Sequence, residues 1–248
     1  PGDIIRASFE ELRFFKAIDP KAFTFFSERQ LTQDLFAKNR ISRDERIGWV
    51  RAYSLTQKKN CFIPAQLVYL SYSVEFKDEP EFLHTTTNGV AAGATFEEAA
   101  HRAICEAIER DAFLIFWLNR LAPPHIDSSS VRIPAARKII DDIVRHGLEL
   151  HLLDMTTDME IPTIAAVVLD RHGEIAVSVH VATDFSPEQC LLKVLGEATK
   201  LMHSPVDKKI LQVAKNKYPL IQTMEERRAI WSSQDMIKHI DFLFENKE

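Results

Sequence analysis

The sequence predicts an α+β fold, mixed or antiparallel sheets packed by long helices. Three observations carry this. A long helical pattern covers residues 95–121, three apolar runs of strand length come after it at 148–153, 163–169 and 175–181, and no regular βαβ alternation links them. Residues 8–17 and 27–38 carry helix-like patterning, and a charged stretch at 38–46 separates them from the strand-rich region beyond it. Residues 52–55 and 63–72, rich in aromatic and β-branched types, read as strands. The long helix starts at Thr95, where Thr95 and Glu98 have the spacing of a capping box. A second helix runs over 132–146 and is stopped by Gly147. Asp-Met-Thr and Arg-His-Gly turns flank the three later strands. Ser186-Pro187-Glu188-Gln189 opens a helix that reaches about His203, and Thr223-Met224-Glu225-Glu226 opens another. The tail, 232–248, reads as helical and solvated. With no Gly/Pro/Ser-rich linker, residues 1–248 read as a single domain.

Composition excludes several classes. The 248 residues suffice for a sizeable core without disulfide or metal staples. A hydrophobic share of 46% with 27% charged residues is globular rather than disordered. The net charge of −5 gives no electrostatic basis for binding nucleic acid or an anionic membrane surface. No run approaches the ~18–20 apolar residues of a membrane span. Cys61, Cys105 and Cys190 are scattered and odd in number, which favours free thiols in a reducing, cytoplasmic setting.

The segment that carries chemistry is Thr87 to Ala112, TNGVAAGATFEEAAHRAICEAIERDA. Gly89 and Gly93 make a tight loop feeding a helix N-terminus, where free N–H groups and the positive end of the macrodipole can hold phosphate. Along the helix, Glu98, Arg102, Glu106 and Glu109 share a sector of roughly 80°, and Arg110 widens it to about 120°. The opposite side, with Ala99, Ala103, Ile104, Ala107, Ile108, Leu114 and Leu118, is apolar, so the helix is expected to be buried. Close carboxylates in a low dielectric repel unless something compensates. Arg102 and Arg110 offset two of them; Mg²⁺, which takes oxygen ligands and shares them with phosphates, would do it better. The combination suggests a Mg-nucleotide site. A solvated face with i,i+4 Glu–Arg pairs is the alternative, and Glu98 could be no more than a capping residue.

This segment, with Phe116-Trp117 after it, resembles the central signature of the YcaO family. The similarity extends to Ile63-Pro64-Ala65 and Val68-Tyr69 upstream, and to Pro123-Pro124-His125-Ile126-Asp127 downstream. It also takes in Asp184-Phe185-Ser186-Pro187-Glu188 leading to Leu195-Gly196-Glu197-Ala198, covering roughly residues 45–205. The resemblance implies a YcaO-like fold in which this helix binds ATP phosphates through Mg²⁺. Glu98, Glu106 and Glu109 are then metal-coordinating, with Arg110, Asn88, Gly93 and Glu197 completing the nucleotide site. It implies an enzyme, a cyclodehydratase or thioamidating type, that uses ATP to O-phosphorylate a peptide backbone amide after a nucleophile has added. Loss of phosphate would leave an azoline (thiazole or oxazole precursor) or a thioamide in a ribosomally made peptide or protein. Implied partners are the peptide or protein substrate and a leader-peptide-binding or sulfur-delivery protein; a homodimer is an admissible assembly. No individual catalytic residue is singled out.

The sequence also departs from the family pattern. Only one Glu-x-x-Glu-Arg occurs, at 106–110, and the Ser-x-x-x-Glu-x-x-Glu-Arg motif usual upstream is not found, so the chain reads as an N-terminally incomplete domain. Ala91 stands where a Ser is frequent, Lys200 where a Gln is usual, and the end is not Pro-rich. These departures keep open a non-catalytic nucleotide-binding or scaffold subunit, or an accessory factor in ribosomal-protein methylthiolation. Two other constellations are weaker: His101, Cys105 and Glu109 share a helix face but lack a second ligand pair for zinc. Cys190 with His180 or His203 lacks an oriented base.

Overall fold

The computed structural model describes residues 3–23, 26–83, 86–172, 176–201, 207–218, 220–221 and 223–245, with the backbone alone at 35, 200 and 201. The chain forms two compact units, Pro1–Thr87 and Asn88–Glu248.

In the first unit, β1 (Ile5–Ala7), β2 (Ile47–Ser54) and β3 (Lys59–Pro64) form an antiparallel sheet in that order. Trp49 is fully buried on β2, and its indole N–H donates to the Ala7 carbonyl at 2.9 Å, which ties the core of the sheet to β1. The helix-like patterning upstream resolves into short pieces: α1 (Phe9–Leu12), α2 (Glu28–Leu31) and α3 (Asp34–Ala37). Serine capping boxes open two of them, Ser8 with Glu11 and Ser27 with Gln30. The expected strand at 63–72 stops at Pro64. There the Ala65 carbonyl accepts from Val68 and Tyr69 N–H, so the chain turns locally, and α4 (Tyr72–Glu75) comes next. Short apolar runs do not distinguish strand from turn by composition; Tyr72 is buried by donating to Glu79 rather than by pairing in the sheet.

The second unit holds the long helix α5 (Phe96–Asn119), then β4 (His125–Ile126), α6 (Pro134–Arg145), β5 (Glu149–Asp154), β6 (Thr163–Leu169), β7 (Val177–Thr183) and α7 (Pro187–Leu201). Two further helices, α8 (Lys208–Lys217) and α9 (Met224–Trp231), complete the order. The strands form one antiparallel sheet in the order β4-β5-β6-β7. Every residue of β6 is buried, because the sheet is covered on both faces. Ile164, Ala166 and Val168 pack with Ile140 and Ile143 of α6 and with Val194 and Leu195 of α7. Their alternates Ala165, Val167 and Leu169 pack with Phe113 and Trp117 of α5. Gly147, at φ 75°, ends α6 as expected, its N–H donating to Val144.

The tail departs from expectation. It forms two 3₁₀ segments, Gln234–His239 and Asp241–Phe244, and it is not solvated. Ile240, Phe242 and Leu243 are buried in the same core as Leu153 and Met155, so the end of the described chain is part of one sheet face. A 3₁₀ turn brings residues three apart to the same side, which places Ile240 and Leu243 together. Leu243→Ala is therefore expected to destabilise the chain by about 2–4 kcal/mol, read as a lower urea midpoint with an unchanged slope. An effect under about 0.5 kcal/mol, the size usual for surface substitutions, would place the tail outside the core. No helix among the described residues is long and apolar enough to cross a membrane.

Candidate functional site

The loop that feeds α5 owes its shape to two glycines. Gly89 adopts φ 76°, a left-handed conformation that a side chain disfavours. Gly93 has no room for one: a Cβ there would lie 2.5 Å from the Ala99 nitrogen and 2.9 Å from the Glu98 carbonyl carbon. The loop therefore lies directly on the first turn of α5. Thr95 caps that turn, its hydroxyl accepting from the Glu98 N–H at 3.2 Å. The second half of the expected capping box differs. Glu98 reaches to the Ala94 N–H at 2.8 Å and receives the Arg102 guanidinium, which in turn donates to the Ala92 carbonyl at 3.0 Å. Glu98 and Arg102 together clamp the loop onto the helix. Asn88 is exposed at the start of the loop.

The expected burial of α5 is narrower than its apolar content suggested. Cys105, Ile108, Glu109 and Ala112 form its buried seam, whereas Ile104, Leu114 and Leu118 are exposed. The apolar residues run most of the way round, and only the i, i+3, i+4, i+7 row that meets its own unit is covered. This seam contains a carboxylate. Glu109 is 9% exposed and faces the Thr183 backbone at the end of β7, which favours its charged form slightly. Burial pushes its carboxyl up to about 7, and the charges of Glu106 and Glu197 add to this against the relief from Arg110. Arg110 spans the two helix carboxylates, with Nε 2.9 Å from Glu106 and Nη2 2.9 Å from Glu109.

Of the residues singled out in the sequence, Glu106, Glu109, Arg110 and Glu197 thus form one electrostatic neighbourhood on α5 and α7. Glu98 stands apart from it: eight residues of helix separate it from Glu106, about 12 Å of rise. Among the described residues, no three His, Cys, Asp or Glu side chains converge on a ready-made metal position. Sequence reasoning gave no role to Asp184 and Lys193, which pair beside the seam. Burial pushes the Asp184 carboxyl up, but the Lys193 ammonium and the Ser186 N–H outweigh it and hold the group below the usual carboxylate range. The only signal for this pair was the Asp-x-Ser turn before the α7 cap.

The competing constellations have structural partners. His101 stacks on Phe185 with ring centroids 5.1 Å apart, and burial raises the Cys105 thiol above its ordinary pKa. The Cys190 thiol donates to the Ala182 carbonyl at 3.0 Å, and burial pushes it up to about 11, so it carries no thiolate at neutral pH. His180 meets Ser178 at 2.7 Å. His203 and the Lys200 side chain lie outside the described residues.

The family model described as "YcaO cyclodehydratase, ATP- and Mg²⁺-binding" matches residues 1–248. The chain belongs to the YcaO family. An uncharacterised protein encoded in the tfuA 3′ region of Rhizobium leguminosarum bv. trifolii is 31% identical over 176 residues, covering 68% of this chain and 38% of the relative. A solved heterocyclase in complex with substrate and cofactor superimposes with a TM-score of 0.68 at 27% identity, covering 83% of this chain and 29% of that one. The heterocyclase TruD gives 0.69 at 25% identity, with coverages of 92% and 33%. This YcaO chain therefore spans well under half the length of these relatives. The α+β architecture expected from the sequence is that of the YcaO heterocyclases.

Proposed function

We propose that this chain contributes the nucleotide- and Mg²⁺-binding part of an enzyme that activates a peptide backbone amide by O-phosphorylation. The observation that carries this is Glu109, a carboxylate buried near Glu106 and Glu197 with, among the described residues, the Arg110 guanidinium to offset it. Once Glu109 is ionised, the clustered carboxylates carry more negative charge than Arg110 offsets, and a hard divalent cation would neutralise it. Mg²⁺ is usually held by one or two carboxylates together with substrate phosphates, so a pair of protein ligands suffices.

Glu106 and Glu109, with Glu197 close by, would hold the ion. Arg110 fixes the orientation of both helix carboxylates while the ion is exchanged. Glu98 lies too far along α5 to share that ion; its part is at the loop, which it clamps together with Arg102. The Asn88–Gly93 loop, clamped by Glu98 and Arg102, offers backbone N–H groups at the N-terminus of α5. Bound ATP supplies the phosphoryl group that turns an amide oxygen, a poor leaving group, into phosphate. With a Cys, Ser or Thr side chain of the substrate as the nucleophile the product is an azoline; with an external sulfur nucleophile it is a thioamide. Catalysis of this kind is mostly positioning and charge stabilisation. The substrate is a ribosomally made peptide or protein, presented with the help of a leader-binding or sulfur-delivering partner.

Ala91, at a position where the family often has a Ser, favours a second reading in which the chain binds nucleotide without turning it over. Calorimetric titration of a non-hydrolysable ATP analogue tests the shared premise. Binding by the 248-residue chain is expected to require Mg²⁺ and to weaken by a factor on the order of 100 in Glu106→Gln, the scale of a lost charge-assisted interaction. Equal binding with and without Mg²⁺, or by both proteins, would leave the carboxylates as a charged helix face. Turnover assays on the same proteins then separate enzyme from scaffold.

A further inference from the structure

One turn beyond Glu109, α5 enters a second environment. Its C-terminal half, together with β7, α9 and the 3₁₀ tail, lines an open cavity of about 650 Å³. This lies within the range of small-molecule sites and is lined by neither Glu106, Glu109 nor Glu197. Its walls are aromatic: Trp117 stacks with Phe113 at 5.3 Å and meets Trp231 edge-on at 5.6 Å. Three arginines, Arg120, Arg227 and Arg228, also line it, and among the described residues no Asp or Glu does. In a chain with 36 acidic and 31 basic residues, that is a local reversal of sign.

The arginines are available for a ligand. The Arg120 guanidinium lies over an aromatic ring of the wall, 4.6 Å from its centroid. Arg227 and Arg228 are exposed on α9, and neither forms an ion pair with a described residue. Guanidinium groups pair with carboxylate and phosphate in a planar, bidentate manner and also stack on rings. Indole walls take a flat apolar body.

We propose that this cavity binds a small aryl anion, its ring against Trp117 and Trp231 and its carboxylate or phosphate on Arg227 and Arg228. The site is separate from the nucleotide site and does not depend on that reading.

The test is a fluorescence titration of the full chain with 8-anilinonaphthalene-1-sulfonate, a flat aryl anion, and with its neutral counterpart N-phenyl-1-naphthylamine. Two of the three tryptophans line the cavity, so energy transfer to the dye reports occupancy there. The expected result is one saturable site that prefers the sulfonate by about tenfold, one charge-assisted contact's worth of discrimination. The double variant Arg227→Gln/Arg228→Gln should lose that preference while keeping its cooperative thermal transition, because both side chains are exposed. Binding should be unchanged in Glu106→Gln and in the presence of Mg²⁺ with the ATP analogue. Absence of saturable binding, equal affinity for the two dyes, an unaltered double variant, or displacement by the nucleotide would each overturn the proposal. An aryl carboxylate and an aryl phosphate used as competitors then identify which head group the arginines prefer.

Discussion

Glu109→Gln is expected to make the nucleotide-free chain more stable at pH 8 and no more stable at pH 4. Burial holds the Glu109 carboxyl near 7 in the folded chain, against an ordinary value of 4.5. The folded state thus retains a proton that the unfolded state has released. The stability this contributes is complete below pH 4.5 and is lost as pH rises through about 7. The displacement corresponds to a penalty of up to about 3 kcal/mol above pH 7, which a neutral amide of the same shape avoids. Urea unfolding of both proteins from pH 4 to 8 should show the curves diverging across that interval. Parallel curves would mean that the carboxylate is already compensated without a cation. The same proton links to ligand binding: Mg²⁺ requires the ionised form, so Mg²⁺-dependent nucleotide affinity should fall towards tenfold per pH unit below about 7. In Glu109→Gln it should be weak at every pH. A residue that stabilises the chain when neutralised, yet weakens nucleotide binding, is placed for function rather than for folding.

Gly93→Ala is expected to disable the loop. The new methyl would sit 2.5 Å from a backbone nitrogen of α5, and neither it nor the adjacent Glu98 backbone can yield as a side chain could. The loop must lift, which breaks the Ala94–Glu98 and Ala92–Arg102 contacts that hold it. The cost is about 1–3 kcal/mol of stability, the range for overpacking, and the nucleotide should bind at least tenfold more weakly. Gly196→Ala provides the control. There a Cβ meets nothing within 4 Å, inside α7, so the same chemical change should stabilise by about 0.4–1 kcal/mol. Opposite signs for the two substitutions, measured by urea midpoint, would confirm that close approach is what requires glycine at 93. Destabilisation of similar size at both positions would remove that reason.

The strands of the second unit were legible because β5, β6 and β7 are short segments of strand length, apolar residues alternating with a few polar ones in β5 and β7 and nearly unbroken in β6, set between turns. α5 was legible because twenty-four residues without Pro or Gly leave one choice. The grouping of Glu106, Glu109 and Arg110 came from helical geometry, which is local. Other features were set by distant partners. The run at 63–72 has strand composition, but a local turn and the Tyr72–Glu79 hydrogen bond decide its course. The tail has a solvated-helix composition, but a sheet face covers it.

What the sequence determined by itself is whatever depends on neighbours a few residues apart: the α+β class, the boundaries of α5, and the carboxylates and guanidinium that share one side of it. The tertiary structure alone decided which of those carboxylates is buried, since α5 is apolar almost all round and only its packing on β7 selects the seam with Glu109. It also decided that Glu197, eighty-eight residues later in the chain, adds its charge to that seam. Periodicity fixes directions around one helix axis; burial and electrostatic coupling depend on which other element that axis is laid against.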